Sequence, residues 1–541
     1  MKTLYTNVNP ILFDDTEPFN AFLVEDGIIV KTGDIAQLQG ITEGNESDLK
    51  VVDLGGQSVV PGLVDCHLHL VGYAATKEKN VSLKEIPSLE AMQEKVGHFI
   101  TKKDLQPEEW VSGSGWNHDN FPVRKMPDRH DLDAVSPHHP MKLLRMCYHI
   151  CVVNTKALEL AGITKDTPDP EGGKIDRDAD GNPTGILRET AMALVDKAIP
   201  PLKDKEEIKE LILAGCEDLV SMGFTMVHTD DFSMVGDRQA LLDAYRELDA
   251  ENKLPLDVVM QMITYEPDDL QFYIDNGLKT GTRFNRLIAG PIKILGDGSL
   301  GSRTAALKEP YSDDPETFGF MLMSQENLEI MIRQAFENGF DTAIHAIGDL
   351  TVESVLHNYE KYQDLVEEHN LKPSVIHCQI ASPDIMNKYK ELGIVANFQP
   401  IFLHSDWHIA EERVGPERMK SSYVWKTYMD MGIPCVGSSD APVESFNPFW
   451  NLYTAVARKD LEGRPEGGWV PEEALSREEA LKLFTVYPPM LLHEMDRKGH
   501  LKEGYVADFT VLSDHPYEVD MEDLKNMTAV ATYKDGVKVY G

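Results

Sequence analysis

The eleven residues Val60-Pro-Gly-Leu-Val-Asp-Cys-His-Leu-His-Leu70 constrain this chain more than any other stretch. An apolar run from Val59 to Val64 follows Gly55-Gly56 and then delivers His67 and His69 two positions apart. In a β-strand, side chains at i and i+2 leave the same face, so both imidazoles can converge on one cation. A buried strand with two hydrogen-bonded histidines explains the pair equally well, and the rest of the chain must decide.

The balance of 90 acidic against 52 basic residues gives a formal charge of −38, which repels nucleic-acid phosphates and anionic membranes. The expected partners are therefore neither nucleic acid nor membrane, which leaves a small-molecule substrate and a homodimer open. Met1-Lys-Thr-Leu-Tyr5 leads straight into polar sequence and no run of about eighteen apolar residues occurs, so a cytoplasmic location is expected. The six cysteines, Cys66, Cys147, Cys151, Cys216, Cys378 and Cys435, form no Cys-x-x-Cys pair and are expected to be reduced and mostly buried.

Both ends read as short strands with turns. Ala21–Val24 and Ile28–Val30 flank Asp26-Gly27, and Ala529–Lys534 and Val537–Tyr540 flank Asp535-Gly536; Asp-Gly between apolar runs signals a hairpin. Residues 1–58 and 491–541 are therefore expected to pair into one small β-sandwich. Between them, residues 59–490 alternate apolar runs with charged helical ones. Strands are expected at Met222–His228, Ile292–Leu295, Thr342–His345, Ser374–His377, Ile394–Phe398 and Ile433–Gly437, and a helix between Ser324 and Gly339. Such alternation means a parallel sheet, and this length favours an α/β fold of the (β/α)₈ TIM-barrel type.

Spacing places the polar residues on that barrel. His345 and His377 each end an apolar run and lie 32 residues apart, about one strand-helix unit; Asp440, in Gly437-Ser-Ser-Asp440, lies 63 further on, about two units. If His345 ends the fifth strand, Asp440 ends the eighth and His67 the first. The 278 residues from His67 to His345 exceed what four units need, so an insertion is expected at about 73–200. All these residues then sit at the C-terminal ends of strands, the face on which barrels do chemistry. A lone strand-end histidine is usually a hydrogen-bonding residue, and an aspartate in such a turn usually a turn former. Five of them in this order form a nitrogen-rich set suited to zinc or a similar divalent metal.

These residues resemble the amidohydrolase superfamily of metal-dependent barrels. The likeness spans nearly the whole chain: Pro61-Gly-Leu-Val-Asp-Cys-His-Leu-His69, a lysine strand, single histidines on strands five and six, an aspartate on strand eight, and Gly504-Tyr-Val-Ala-Asp-Phe509 near the end. Within it, Lys293-Ile-Leu-Gly-Asp-Gly-Ser-Leu-Gly-Ser-Arg-Thr-Ala305, Asn182-Pro-Thr-Gly185 and His149 with Asn154-Thr-Lys-Ala-Leu158 are similar to the family 3 branch, which includes N-substituted formamide deformylases. The resemblance implies that His67 and His69 hold a buried metal, that Lys293 stands at the strand-four position, that His345 and His377 hold a second metal or the single one, and that Asp440 is ligand and general base. One or two ions per chain are implied. Lys293 can ligate only if its amine is carboxylated; otherwise it is a partly buried lysine that snorkels or pairs with Asp297. The implied reaction is hydrolysis of a carbon–nitrogen bond other than a peptide bond, in an amide, N-substituted formamide or cyclic amide. A divalent ion lowers the pKa of water toward ~7, and one carboxylate serves as base and then acid. The same barrel could instead cleave an ester, lactone or phosphoester, and a barrel used only for binding or assembly is the distant alternative.

Other features weigh less. Asp176-Arg-Asp-Ala-Asp-Gly181 begins like a calcium loop but carries Leu187 where a bidentate glutamate is required. Gly296-Asp-Gly-Ser-Leu-Gly-Ser302 lacks the Lys-Ser/Thr of a phosphate loop and reads as a loop at the barrel mouth. His149, Asp297, Arg303 and Trp116 are candidate substrate contacts. Met321-Leu-Met323 reads as core.

Overall fold

Eight parallel strands form the central sheet: β1 (Leu63–Leu68), β2 (Phe224–Thr229), β3 (Asp257–Ile263), β4 (Leu287–Leu295), β5 (Thr342–Ala346), β6 (Ser374–His377), β7 (Val395–Phe398) and β8 (Cys435–Gly437), each paired with its sequence neighbour in the barrel. The computed structural model describes residues 2–13, 17–42, 49–146, 150–170 and 173–541. Beyond the strand ends, β8 is stitched to β1 by three hydrogen bonds: Asp440 N to the His67 carbonyl (2.9 Å), His69 N to the Ala441 carbonyl (2.7 Å) and Ser439 N to Asp65 Oδ1 (3.2 Å). The barrel is nearly closed, and its closure runs through the residues that carry the chemistry.

The strands are buried along their length because helices cover their outer faces and side chains fill the inside. The helix Gln325–Glu337 shows how each outer layer is made. Ser324 caps it by accepting the Asn327 amide (3.1 Å), and Leu328, Met331, Ile332, Ala335 and Phe336 are buried at i, i+3, i+4, i+7 and i+8. Met321-Leu-Met323 is not core: Leu322 is 51% exposed, because the segment lies along Gly296–Asp297 at the end of β4, outside the helical layer.

The expected single strand from Val59 through the histidines is two strands in two sheets. Ser58–Pro61 pairs antiparallel with Phe509–Leu512, and only after Gly62 does β1 begin. A Cβ at Gly62 would lie 2.2 Å from Thr225 Oγ1, so the crossing needs glycine. Two terminal sheets face each other: Ile28–Gly33, Ala21–Glu25, Lys2–Thr6 and Leu49–Asp53 in one; Asn9–Pro10, Ser58–Pro61, Phe509–Leu512, Ala529–Lys534 and Val537–Tyr540 in the other. Tyr5, Phe22, Phe509 and Tyr533 stack between them, with ring centroids 4.4 Å apart for Phe509 and Tyr533. Asp26 and Gly27, like Asp535 and Gly536, have φ between 50° and 81°, the left-handed pair that a two-residue hairpin requires.

At the N-terminal ends of the barrel strands, Asp257 is buried among cations. Lys534 lies 3.4 Å and Arg283 3.5 Å away, with Lys498 also bonded to it; Lys534 in turn pairs with Asp508 and Asp535 at 3.0 Å. Those cations outweigh burial and hold the Asp257 carboxyl well below the usual range.

Residues Tyr73–Leu202 form a separate compact unit. Its six-stranded sheet runs Gly173–Arg177, Pro183–Glu189, Ile150–Val153, Met141–Arg145, Val111–Trp116, Asn80–Ser82, with Leu89–Lys102 the longest helix that it contains. Asp178 accepts the amides of Asp180 and Asn182, so the calcium-like motif closes a turn. Five cysteines are free and buried; Cys147 lies outside the described residues. Among the described residues no helix is long and apolar enough to cross a membrane.

Candidate metal centre

β1 carries His67 just before its last residue, Leu68, and the chain just beyond the strand places His69, with ring centroids 5.2 Å apart. Asp440 comes to both through the bonds that close the barrel. Its Oδ1 lies 3.2 Å from His67 Nε2 and 3.3 Å from His69 Nε2. Among the described residues these three form the cluster whose donor atoms all lie within 4.8 Å of one another. Lys293 reaches the same point from β4, its Nζ 3.2 Å from His67 Nε2; it therefore faces His67 and not Asp297. His345 and His377 sit beside this cluster, ring centroids 4.4 Å apart, with His377 6.2 Å from His67.

Backbone carbonyls settle two tautomers, since a carbonyl can only accept. His69 Nδ1 donates to the Asp230 carbonyl (2.7 Å), which turns Nε2 toward Asp440. His345 Nε2 donates to the Gly298 carbonyl (3.0 Å), leaving Nδ1 as its free donor atom. The backbone here is strained: φ is 61° at Asp440, 84° at His377 and 50° at Cys378, left-handed values that cost non-glycine residues ~1–3 kcal/mol each.

Burial and the neighbouring Lys293 hold the His67 imidazole down to about 4. Burial acts the same way on His69, but the Asp440 and Asp230 carboxylates outweigh it and raise that ring to about 9. Burial would raise Asp440, yet the adjoining His67 and His69 rings keep it well below the usual carboxylate range. Burial lowers Lys293. The cluster thus gathers several nitrogens on one carboxylate oxygen, and buried oxygens of Asp65 and Asp230 lack hydrogen-bond partners. Imidazole nitrogens and an ionised carboxylate converging on one point suit a divalent cation. A protonated Lys293 would oppose it, so that residue fits only as a neutral amine or a carbamate. The side chains of His69 and His345 are 14% and 16% exposed against 1% for His67, so the centre opens on their side.

The proposed substrate contacts fare differently. Asp297 is buried and accepts the amides of Ala306 (3.0 Å), Ile347 (3.0 Å) and Gly348 (2.9 Å), which ties three segments together and leaves no face for substrate. Arg303 forks onto Asp313 at 3.1 and 2.6 Å, and Arg413 binds the same carboxylate. Trp116 is fully buried in the core of the inserted unit, its indole donating to the Leu143 carbonyl (2.9 Å). His149 lies outside the described residues. Sequence reading missed Gln261, Gln399 and Asp230, which contact the histidine nitrogens that face away from the centre. A glutamine alone in the otherwise apolar Val258–Ile263 was the available signal.

Several known proteins are similar to this chain over nearly its whole length. The YtcJ protein of Bacillus subtilis (strain 168) is 34% identical over 98% of this chain and 97% of its own. The N-substituted formamide deformylase of Arthrobacter pascens is 28% identical over 96% and 94%. The crystal structure of an uncharacterized metal-dependent hydrolase from Pyrococcus horikoshii OT3 superposes with a TM-score of 0.79 at 28% identity, covering 96% of this chain and 99% of that one. With the amidohydrolase family description matching residues 50–540 as well, this chain belongs to the amidohydrolase family, in its family 3 branch, and is a hydrolase.

Proposed function

We propose that the protein hydrolyses a carbon–nitrogen bond other than a peptide bond, in an amide, N-substituted formamide or cyclic amide, with one or two divalent cations, zinc by choice of donors. The observation that carries the reading is the convergence of His67 Nε2 and His69 Nε2 on one oxygen of Asp440, at 3.2 and 3.3 Å, at the C-terminal mouth of the barrel. The full-length likeness to an N-substituted formamide deformylase supports the bond type.

His67, His69 and Asp440 would hold the cation, with His345 and His377 beside them and Lys293 joining as a carbamate. When bound, the cation supplies Lewis-acid polarisation of the substrate carbonyl and of the attacking water. Asp440 does the proton work. Its carboxylate, kept ionised by the two imidazoles, accepts the proton of the attacking water and then delivers it to the leaving nitrogen. The lowered Lys293 favours the neutral amine, the form able to take up carbon dioxide.

The test is metal analysis of the purified chain together with turnover on a matched panel of N-acyl, formamide, cyclic-amide and ester substrates. Metal at one to two per chain and faster turnover of the amides support the reading. Metal-free protein that gains nothing from added zinc, or a preference for esters, would overturn it.

A further inference from the structure

We propose that Gln261 and Gln399 are positioning residues that fix which nitrogen of His67 and His377 faces the centre, and that Asn397 and Ser438 join the two into one buried belt. Only the metal-affinity part of this rests on the proposed function.

The argument begins at a backbone carbonyl. Gln261, on β3, donates its Nε2 to the carbonyl of Cys66 at 3.1 Å. A carbonyl only accepts, so this pins the amino end of the amide there, and the end 2.6 Å from His67 Nδ1 must be the oxygen. Nδ1 therefore carries the hydrogen, and Nε2 presents its lone pair toward Asp440. The same logic holds across the barrel. Gln399 donates its Nε2 to the Asn397 carbonyl (3.2 Å) and to Ser438 Oγ (2.7 Å), so its oxygen is the atom 2.8 Å from His377 Nδ1.

The two devices are linked. Asn397 Nδ2 donates to the Cys66 carbonyl that also serves Gln261 (3.3 Å), and Ser438 Oγ donates to Asn397 Oδ1 (2.6 Å) while accepting from Gln399. A continuous path of hydrogen bonds thus runs from His67 through Gln261, Cys66, Asn397, Ser438 and Gln399 to His377. Gln261, Asn397, Gln399 and Ser438 are each at most 4% exposed, so water does not compete for these bonds.

The belt is neutral. A carboxylate in place of either amide would also accept the Nδ1 hydrogen, but it would add negative charge beside Asp440 and raise the basicity of the ring. An amide orients the imidazole and leaves the charge of the centre to Asp440 and Lys293. The belt also accounts for polar side chains on strands whose other inward residues are apolar, such as Val259 and Val395.

The test uses the full chain labelled with ¹⁵N-histidine, free of metal, and reads the imidazole tautomers by NMR; zinc affinity is then measured by chelator competition. The wild type should show His67 and His377 protonated at Nδ1. Gln261→Leu should lose that preference at His67, and zinc affinity should fall by ~10–100-fold. Gln261→Glu, which keeps an acceptor, should restore the tautomer and most of the affinity. Gln399→Leu makes the same test on His377 if Gln261→Leu fails to fold. Rings protonated at Nε2 in the wild type, or leucine variants with unchanged tautomers and affinity, would overturn the proposal. Nδ1 tautomers in a protein that binds no zinc would sink the metal reading and leave the positioning role standing.

Discussion

The two ends of the barrel treat buried charge in opposite ways. At the N-terminal end, Asp257 meets Lys498, Lys534 and Arg283, and Lys534 meets Asp508 and Asp535 as well, so each charge has an opposite partner. At the C-terminal end, His67, His69 and Lys293 gather around Asp440, whose single Oδ1 serves both imidazoles. Removing charge from water costs several kcal/mol per ion unless partners compensate. A saturated network holds structure together, whereas several nitrogens crowded on one carboxylate oxygen suit a cation. The difference teaches which end is scaffold and which is site.

The comparison breaks first at Asp440. Asp440→Asn should lower turnover by ~10²–10⁴, the contribution of a positioned acid and base, while the thermal midpoint moves far less than in variants of Asp257. Steady-state kinetics beside calorimetry decides it; near-normal turnover would make Asp440 only a closing residue of the barrel. Next comes the scaffold end. Asp257→Ala removes the carboxylate that Lys498, Lys534 and Arg283 share, leaves buried positive charge in excess and should cost up to ~3–5 kcal/mol in denaturant unfolding, with activity per folded molecule retained. Equal losses of activity and stability in both variants would erase the distinction.

Metal sharpens it further. Chelation should abolish turnover and lower the melting midpoint, and zinc at a thousand times its dissociation constant should return ~4 kcal/mol. In His67→Ala that zinc-dependent rise should vanish, and in Asp257→Ala it should persist on a lower baseline. Differential scanning fluorimetry with and without zinc reads both.

The smallest effect is a contrast of sign within the scaffold end. Asp257 is held below its ordinary value of 3.8 by its cations, so its contribution to stability is present above that value and fades as pH falls through the lower folded value. Asp341, at the head of β5, is raised to about 6 by burial, with the Lys372 amide as a hydrogen-bond donor. Its contribution is full below 3.8 and is lost as pH rises through about 6. Stability curves from pH 3 to 8 should therefore lose part of their acid limb in Asp257→Asn, and in Asp341→Asn should decline less between about pH 4 and 6. Parallel curves for the two variants would show that pairing does not separate them.

Much of this was legible along the chain because the signals are local or periodic. Apolar strand runs, Ser324 before an amphipathic stretch, and Asp-Gly between two strands each act within a few residues. Histidines and an aspartate at multiples of one strand-helix unit could be placed on one face of a barrel because the repeat itself carries geometry. The break at Gly62 was not legible. Val59–Pro61 and β1 have the same apolar character, and what parts them is the approach of Thr225, 163 positions away.

The sequence alone determined the fold class and the residue types of the candidate centre, since hydrophobic period and residue chemistry are properties of the chain itself. Tertiary structure alone decided which nitrogen each histidine presents, that Lys293 turns to His67, that Asp297, Arg303 and Trp116 are consumed by structural contacts, and that Gln261 and Gln399 stand behind the imidazoles. The reason is physical. A hydrogen bond depends on where a donor and an acceptor meet in space, and here partners as far as 374 positions apart are brought together.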